Sequence, residues 1–163
     1  MLLEPIINKY PFARDMREED LPAVRVIEIA SNDFPWSEGI LRDCMLVGYS
    51  CLVLEIESGI CGFAVMSISG ADAHLLNLCI HPAEQRRGYG RFLLSHCISV
   101  AKQLNAKTLF LEVRQSNYGA ITLYEQFGFN QVSITKDYYP APNDQREDAI
   151  IFALHLFSSV GWR

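Results

Sequence analysis

The stretch from Leu75 to Leu104 constrains the fold of this chain most, because it joins a strand, a basic turn and a helix. Residues 75–80 form an apolar run that ends at His81-Pro82, as is typical of a buried strand. The apolar residues after position 90 recur at helical spacing and are Phe92, Leu93, Leu94, Cys97, Ile98, Ala101 and Leu104. The pattern predicts a strand over residues 75–80, a turn at residues 85–90 and a helix after the turn.

The turn at residues 85–90 has the features of a phosphate site. A helix N-terminus offers unpaired N–H groups and partial positive charge, and Gly88 and Gly90 allow a ligand to approach the backbone closely. The side chains that add positive charge are Arg86, Arg87 and Arg91. A Walker motif is absent, and only part of a dinucleotide fingerprint is present. A plain strand–helix connection with solvated arginines is the alternative.

Composition bounds the class of protein. With 163 residues, half of them apolar, the chain is predicted to form one domain over residues 1–163 with a substantial core. A net charge of −5 argues against general nucleic-acid binding. The five cysteines form no C-x-x-C pair and the four histidines are scattered, which predicts reduced thiols and no metal site.

The sequence also indicates where the protein resides. Residues 1–5 lack a basic region and a long apolar region, so we expect no signal peptide, and no apolar run reaches membrane-spanning length. These features predict a cytoplasmic protein that does not contact a membrane. We expect a core over about residues 12–156 with terminal extensions at 1–10 and 158–163, and we favour a monomer.

The remaining patterns predict the order β-α-α-β-β-β-α-β-α-β-β, an α/β fold with a mixed, mostly antiparallel sheet and helices on both faces. The predicted strands are 12–16, 51–56, 60–68, 75–80, 108–113, 132–138 and 149–156, the fifth of them between the last two helices. We expect four helices. The first ends at about Ser31, the second runs from a cap at Ser37 to Val47, and the third covers residues 92–104. The fourth begins at a cap, Ser116 or Asn117, and ends at Gly128.

The turn matches the Q/R-x-x-G-x-G/A signature of the GCN5-related N-acetyltransferases, and the chain resembles this family over residues 15–156. Residues 111–129 resemble its second half. The resemblance implies a single-domain acetyltransferase fold, acetyl-CoA as co-substrate and no metal. It also implies that two strands splay around the pantetheine arm and that the turn amides hold the pyrophosphate. The implied cofactor-binding residues are Leu78, Cys79, Ile80, Arg86, Arg87, Gly88, Tyr89, Gly90, Arg91 and Asn117.

Residues 34–38, 137–140 and 146–151 are similar to bacterial members of the family that acetylate the N-terminal alanine of a small-subunit ribosomal protein. The resemblance implies a peptide N-terminus as acceptor, held by Phe34, Pro35, Trp36, Tyr138 and Tyr139. The alternative is that these residues close the edge of the core. Four acidic residues are candidates for attracting a basic peptide or are simply solvated: Glu38, Asp137, Glu147 and Asp148.

Glu112 is the candidate general base, because it interrupts an apolar strand and an α-amine with a pKa of roughly 8 gains from deprotonation. Alternatively it faces solvent or pairs with Arg114. Tyr124 lies two turns after Asn117 on one helix face. The resemblance implies that Tyr124 protonates the leaving sulfur, whereas core packing is the plain alternative.

Cys79 is close to the expected thioester, so a covalent acetyl-cysteine is conceivable, but no histidine is placed to activate it. We therefore favour direct transfer. Three functions stay open: an N-terminal peptide acetyltransferase, a related enzyme for a small amine or a lysine, and a non-catalytic acetyl-CoA-binding module. The presence of Glu112 and Tyr124 argues against the third.

Overall fold

The structure is a computed structural model that describes residues 9–157, so most of the two predicted terminal extensions lies outside the described residues. The seven strands are β1 Phe12–Asp15, β2 Ser50–Ile56, β3 Gly59–Ser69, β4 Asp72–Ile80, β5 Thr108–Arg114, β6 Asn130–Pro140 and β7 Arg146–His155. The four helices are α1 Leu21–Ser31, α2 Glu38–Leu46, α3 Tyr89–Gln103 and α4 Tyr118–Gln126. The predicted order of these elements is correct.

The strands form one mixed sheet in the order β1-β2-β3-β4-β5-β7-β6. Only β4 and β5 pair in parallel, whereas all other neighbours are antiparallel. Alternate residues of β2 and β3 point to opposite faces, so Leu52 and Leu54 enter one core and Val53 enters the other. The first core also contains residues of α3 and α4, and the second contains residues of α1 and α2. Helices therefore cover both faces, as the sequence predicts.

The parallel pair β4–β5 separates after four residue pairs, from Asp72 opposite Thr108 to Leu75 opposite Leu111. At the same point Leu76 is an extra residue in β4, because Met66 lies opposite Leu75 and Val65 opposite Asn77. Such a bulge bends a strand and changes which face its side chains meet. Beyond it, residues 77–80 diverge from the end of β5, and a cleft opens between the two strands.

Three elements, β4, α3 and β7, begin three residues before their predicted starts. Residues 72–75 alternate between exposed and buried, as in a half-buried strand, whereas the prediction followed only the continuous apolar run. Within residues 9–157, no helix is long and apolar enough to cross a membrane.

Candidate active site

The cleft between β4 and β5 contains a cavity of about 310 Å³. Its walls combine the diverging strands with parts of α1 and α4, the loop at residues 32–36 and the end of β6 at residues 139–140. The cavity therefore brings together both predicted catalytic residues, Glu112 and Tyr124, whereas the basic turn at residues 85–91 does not line it. The charged, polar and aromatic residues of its lining include Glu28, Phe34, Trp36, Cys79, Glu112, Arg114, Asn117, Tyr124 and Tyr139.

The basic turn lies between the end of β4 and the start of α3. Gly88 is the N-cap of α3 with φ of 87°, a left-handed backbone that favours glycine. No atom of the described residues lies within 4 Å of where a Cβ of Gly88 would be. Gln85 fixes the other end of the turn by donating from Nε2 to the Ile80 carbonyl at 3.0 Å. The open turn and the helix N-terminus fit a pyrophosphate.

The three arginines of this region are not equivalent. Arg86 has φ of 64° and is exposed, whereas Arg87 forms a surface ion pair with Glu84 at 3.0 Å. The Arg91 guanidinium lies 5.8 Å from the centre of the Phe127 ring. The side chain of Arg86 is exposed and forms no hydrogen bond, ion pair or ring contact within residues 9–157.

Glu112 lies on the cleft side of β5, since its neighbours Leu111 and Val113 point into the core. Its partner is not Arg114, which instead pairs with Glu147 at 3.3 Å. A hydrogen bond to the Glu112 carboxylate raises the pKa of the Tyr138 hydroxyl above its usual value. Glu112 is exposed, as expected if it faces solvent, but the solvent that it faces is in the cavity.

A bulge in β6 brings Tyr138 to Glu112. Thr135 lies opposite Ala149 and Tyr139 opposite Glu147, so residues 136–138 face a single residue of β7. Asp137 in the middle has φ of 51°. Arg146 holds the bulge by donating to the carbonyls of Asp137 and Tyr138, both at 2.9 Å. The bulge thus redirects one side chain toward the cleft.

Tyr124 lies inside the cleft and is 7% exposed. Burial, and secondarily the nearby Cys79 and Cys97 thiols, raise the pKa of its hydroxyl, so the phenol keeps its proton at neutral pH. Asn117 caps α4 by accepting a hydrogen bond from the Ala120 N–H at 3.2 Å, and it also lines the cavity. Of the two predicted capping residues, Asn117 is the correct one.

Burial raises the pKa of the Cys79 thiol to about 12, and the carboxylate of Glu28 adds to this shift. The thiol is 3.1 Å from Asn77 Oδ1 and acts as a hydrogen-bond donor. A thiol with such a pKa is a poor nucleophile near neutral pH, because thiolate is the reactive form. The environment of Cys79 therefore favours direct transfer over a covalent route.

The aromatic residues predicted to hold the acceptor meet across the cleft. Residues 34–36 lie in a loop, as expected, whereas Tyr138 and Tyr139 lie at the end of strand β6 and not in a loop. Phe34, Trp36 and Tyr139 line the first cavity, and Trp36, Tyr138 and Tyr139 line an adjoining one of about 390 Å³. Pro35 is half-buried and lies between Phe34 and Trp36 in the chain. The aromatic residues thus form two walls of a slot that leads from the surface to Glu112.

Sequence reasoning missed Glu28, which is 1% exposed and lies on α1 at the base of the cleft. Its carboxylate accepts hydrogen bonds from the Trp36 N–H at 2.8 Å, from Asn77 Nδ2 at 3.2 Å and from Asn32 Nδ2. No lysine, arginine or histidine within residues 9–157 forms an ion pair with it. The other buried acid described, Asp20, pairs with Arg14 at 2.7 Å. Glu28 therefore ties the loop at Trp36 to β4.

The acidic residues considered for peptide attraction are mostly ion-paired within the protein. Glu38 pairs with Arg42, Glu147 with Arg114, and Asp148 with Lys136. Internal pairing weakens the field that these residues project toward a basic peptide. Attraction by their charge is therefore a weaker argument than the sequence alone suggests.

A model of the acetyltransferase (GNAT) family matches residues 13–129, and the chain belongs to this family. Among the similar proteins are several named [Ribosomal protein bS18]-alanine N-acetyltransferase. That of Escherichia coli strain K12 is 42% identical over 84% of this chain and 92% of its own length. That of Haemophilus ducreyi is 40% identical over 85% of this chain and 96% of its own length.

Solved structures agree with this assignment. The ribosomal-protein-S18-alanine N-acetyltransferase of Escherichia coli has a TM-score of 0.84 to this chain, with 37% identity over 93% of this chain and 98% of that one. The yncA protein of Salmonella typhimurium, solved with its cofactor acetyl-CoA, has a TM-score of 0.77 over 95% of this chain and 99% of that one, at 21% identity. The second likeness concerns the fold alone.

Proposed function

We propose that this chain transfers the acetyl group of acetyl-CoA to the N-terminal α-amino group of a protein, and that the acceptor is the N-terminal alanine of ribosomal protein bS18. The observation that carries the proposal is the arrangement of one cleft. Glu112 lies at the inner end of an aromatic slot, and the buried Tyr124 lies deeper in the same cavity. The relatives named [Ribosomal protein bS18]-alanine N-acetyltransferase, at about 40% identity, support the same acceptor.

The acetyl-CoA site in this proposal is the basic turn together with the free edge of β4. The N–H groups at the start of α3 and the open backbone at Gly88 take the pyrophosphate, with Arg86, Arg87 and Arg91 adding positive charge. Residues 78–80 take the pantetheine arm, because their strand has separated from β5 and leaves backbone groups facing the cleft. A backbone N–H there polarises the thioester carbonyl.

Glu112 acts as the base in this mechanism and accepts the proton of the α-ammonium through water. The neutral nitrogen then attacks the carbonyl carbon and a C–N bond forms. The nitrogen loses its second proton to solvent as the tetrahedral intermediate collapses and the C–S bond breaks. Tyr124 supplies a proton to the departing thiolate, since burial keeps its hydroxyl protonated. The products are the acetylated amine and coenzyme A, and both residues recover their starting protonation through solvent.

An α-amine suits this site better than a lysine. Its pKa of roughly 8 leaves far more neutral amine at pH 7 than a lysine pKa of roughly 10.4 does. The slot between Trp36 and Tyr139 admits the end of an extended chain. A lysine in mid-chain would have to bring two flanking segments past the same aromatic walls. Because ribosomal proteins are made in the cytoplasm, we expect the reaction there.

A single competition assay tests this proposal. A peptide that begins with alanine, continues with basic and aromatic residues and contains one internal lysine is incubated with the enzyme and acetyl-CoA. Mass spectrometry with fragmentation should locate the acetyl group on the α-amine, and a peptide blocked at its N-terminus should be almost unreactive. Preferential lysine acetylation, or turnover of small amines alone, would contradict the proposed acceptor. Acetyl-CoA binding without any turnover would instead favour a non-catalytic module.

A further inference from the structure

The side chain of Arg114 connects the two walls of the aromatic slot. Its guanidinium lies 4.4 Å from the centre of the Tyr139 ring and 5.8 Å from that of Phe34. The first distance is typical of a close cation–π contact, and the second is near the outer limit of one. Arg114 itself lies on β5 and lines the cavity together with both rings.

Polar contacts fix the same side chain in place. Arg114 Nη1 donates to the Pro140 carbonyl at 2.9 Å and to Glu147 Oε1 at 3.3 Å. Glu147 also accepts the Ser116 N–H through Oε2 at 2.7 Å, so the ion pair extends to the residue before Asn117. Arg114 and Glu147 are mostly covered, with side-chain exposures of 30% and 22%. Partial burial limits the screening of their interaction by solvent.

The position of Arg114 in its strand explains how it reaches the slot. Glu112 and Arg114 are two residues apart and therefore project to the same face of β5. Glu112 points to the inner end of the slot, whereas Arg114 points to its rim, where Pro140 ends β6. A flat cation at this place can stack on a ring and donate hydrogen bonds at once, which a lysine cannot do.

We propose that Arg114 is a positioning residue for the acceptor, which holds the wall at Tyr139 and Pro140 against the loop at Phe34 and so preserves the width of the peptide slot. This inference rests on the proposed acceptor site and extends it to a residue outside the reacting groups. Without the Arg114 side chain the hairpin would keep its β6–β7 and β5–β7 pairing, but its end would lose the bonds to the Pro140 carbonyl and Glu147. Peptide binding should then weaken more than acetyl-CoA binding or the chemical step.

Steady-state kinetics with the alanine peptide provides the first test. Arg114→Met should raise the peptide KM about tenfold, as expected for loss of one charge-assisted anchor, while the KM for acetyl-CoA stays within about twofold. Arg114→Lys keeps the charge but not the stacked face, so its effect should be intermediate. Arg42→Met is the matched control, because it removes an arginine from surface ion pairs with Glu18 and Glu38 and its side chain lines neither cavity.

Hydrogen exchange followed by mass spectrometry provides a test that needs no acceptor. The amides of Tyr138, Tyr139 and Ala141 should exchange faster in Arg114→Met than in the wild type or in Arg42→Met. If Arg114→Met does not fold, Glu147→Gln replaces it, since glutamine keeps an acceptor for the Ser116 N–H and removes the charge that faces Arg114. This variant should raise the peptide KM about threefold.

Two results would overturn the inference. One is a peptide KM within about twofold of wild type in all variants at Arg114 and Glu147, and the other is unchanged exchange of the same three amides. An equal rise in both KM values would also count against it, because that pattern indicates general damage to the site. If the wild type acetylates no peptide, the proposed function fails, and exchange alone then decides whether Arg114 holds the hairpin.

Discussion

The two sides of the cleft are built differently. The proposed cofactor side, defined as residues 78–91, is one continuous stretch that combines the end of β4, a turn with left-handed residues and the N-terminus of α3. The acceptor side, defined as residues 34–36, 112–114 and 138–140, comes from three separate parts of the chain. The side chain of Arg114 joins these parts through Pro140, Tyr139 and Phe34, and Glu28 ties the loop at Trp36 to β4.

This difference indicates which changes each side tolerates. A site made of backbone depends on local conformation and free space, so most side chains around it can vary without closing it. A site assembled by side-chain contacts depends on each hydrogen bond and ion pair, because every lost partner leaves a buried group unsatisfied. Three substitutions test this contrast, in order of decreasing expected effect.

Gly88→Glu should have the largest effect. It introduces a side chain and a negative charge at a left-handed position, where the proposed pyrophosphate site needs open space and positive potential. We expect acetyl-CoA affinity, measured by calorimetry, to fall by more than about 100-fold while the circular dichroism spectrum is preserved.

Gly48→Glu is a close control for this substitution. Gly48 has the same φ of 87° and the same free space around its Cβ position, but it lies just after α2. Both variants carry the same backbone strain, so only the Gly88 variant should lose affinity. Equal losses in both would mean that strain rather than ligand contact explains the effect.

Tyr124→Phe is expected to have the next largest effect. It preserves ring packing and deletes the hydroxyl, so kcat should fall by a factor on the order of 10² while acetyl-CoA affinity stays within about twofold. Tyr118→Phe is the control on the same helix, since Tyr118 is 76% exposed. An unchanged kcat across the accessible pH range would identify Tyr124 as a packing residue.

Glu28→Gln should give the smallest of the three effects and act on the acceptor side. The amide places an N–H group where Glu28 now accepts from Trp36, Asn32 and Asn77. We expect the peptide KM to rise about tenfold and the free energy of unfolding to fall by about 1–3 kcal/mol, with little change in acetyl-CoA affinity. Glu57→Gln, in the turn between β2 and β3, is the control. A rise confined to the KM of acetyl-CoA would reverse the assignment of the two sides.

Much of the fold could be predicted because its signals are local. The caps at Ser37 and Asn117, the turn at residues 57–59 and the helical spacing after Gly90 each act within a few residues. The cofactor side could be predicted for the same reason. Its motif is contiguous, so the sequence contains the geometry as well as the residue types.

The acceptor side could be predicted only in part. Aromatic residues identified its walls, but Glu28 is hidden in an amphipathic helix, and its partner Asn77 is 49 residues away. The sequence suggested that Arg114 pairs with Glu112, whereas the partner of Arg114 is Glu147, which is 33 residues further along the chain. A single sequence contains no signal for such distant pairs. The one local hint was the presence of a charged residue at each position in otherwise apolar elements.

The bulge in β6 has a consequence for association between molecules. β6 is the outer strand of the sheet, and Val132 and Ile134 expose apolar side chains on it. An extended outer strand of this kind is a template on which another chain can add a strand and begin aggregation. The irregular backbone at residues 136–138, with Lys136 and the terminal Pro140, interrupts that template. The distortion that directs Tyr138 toward Glu112 therefore also helps to protect the protein from aggregation.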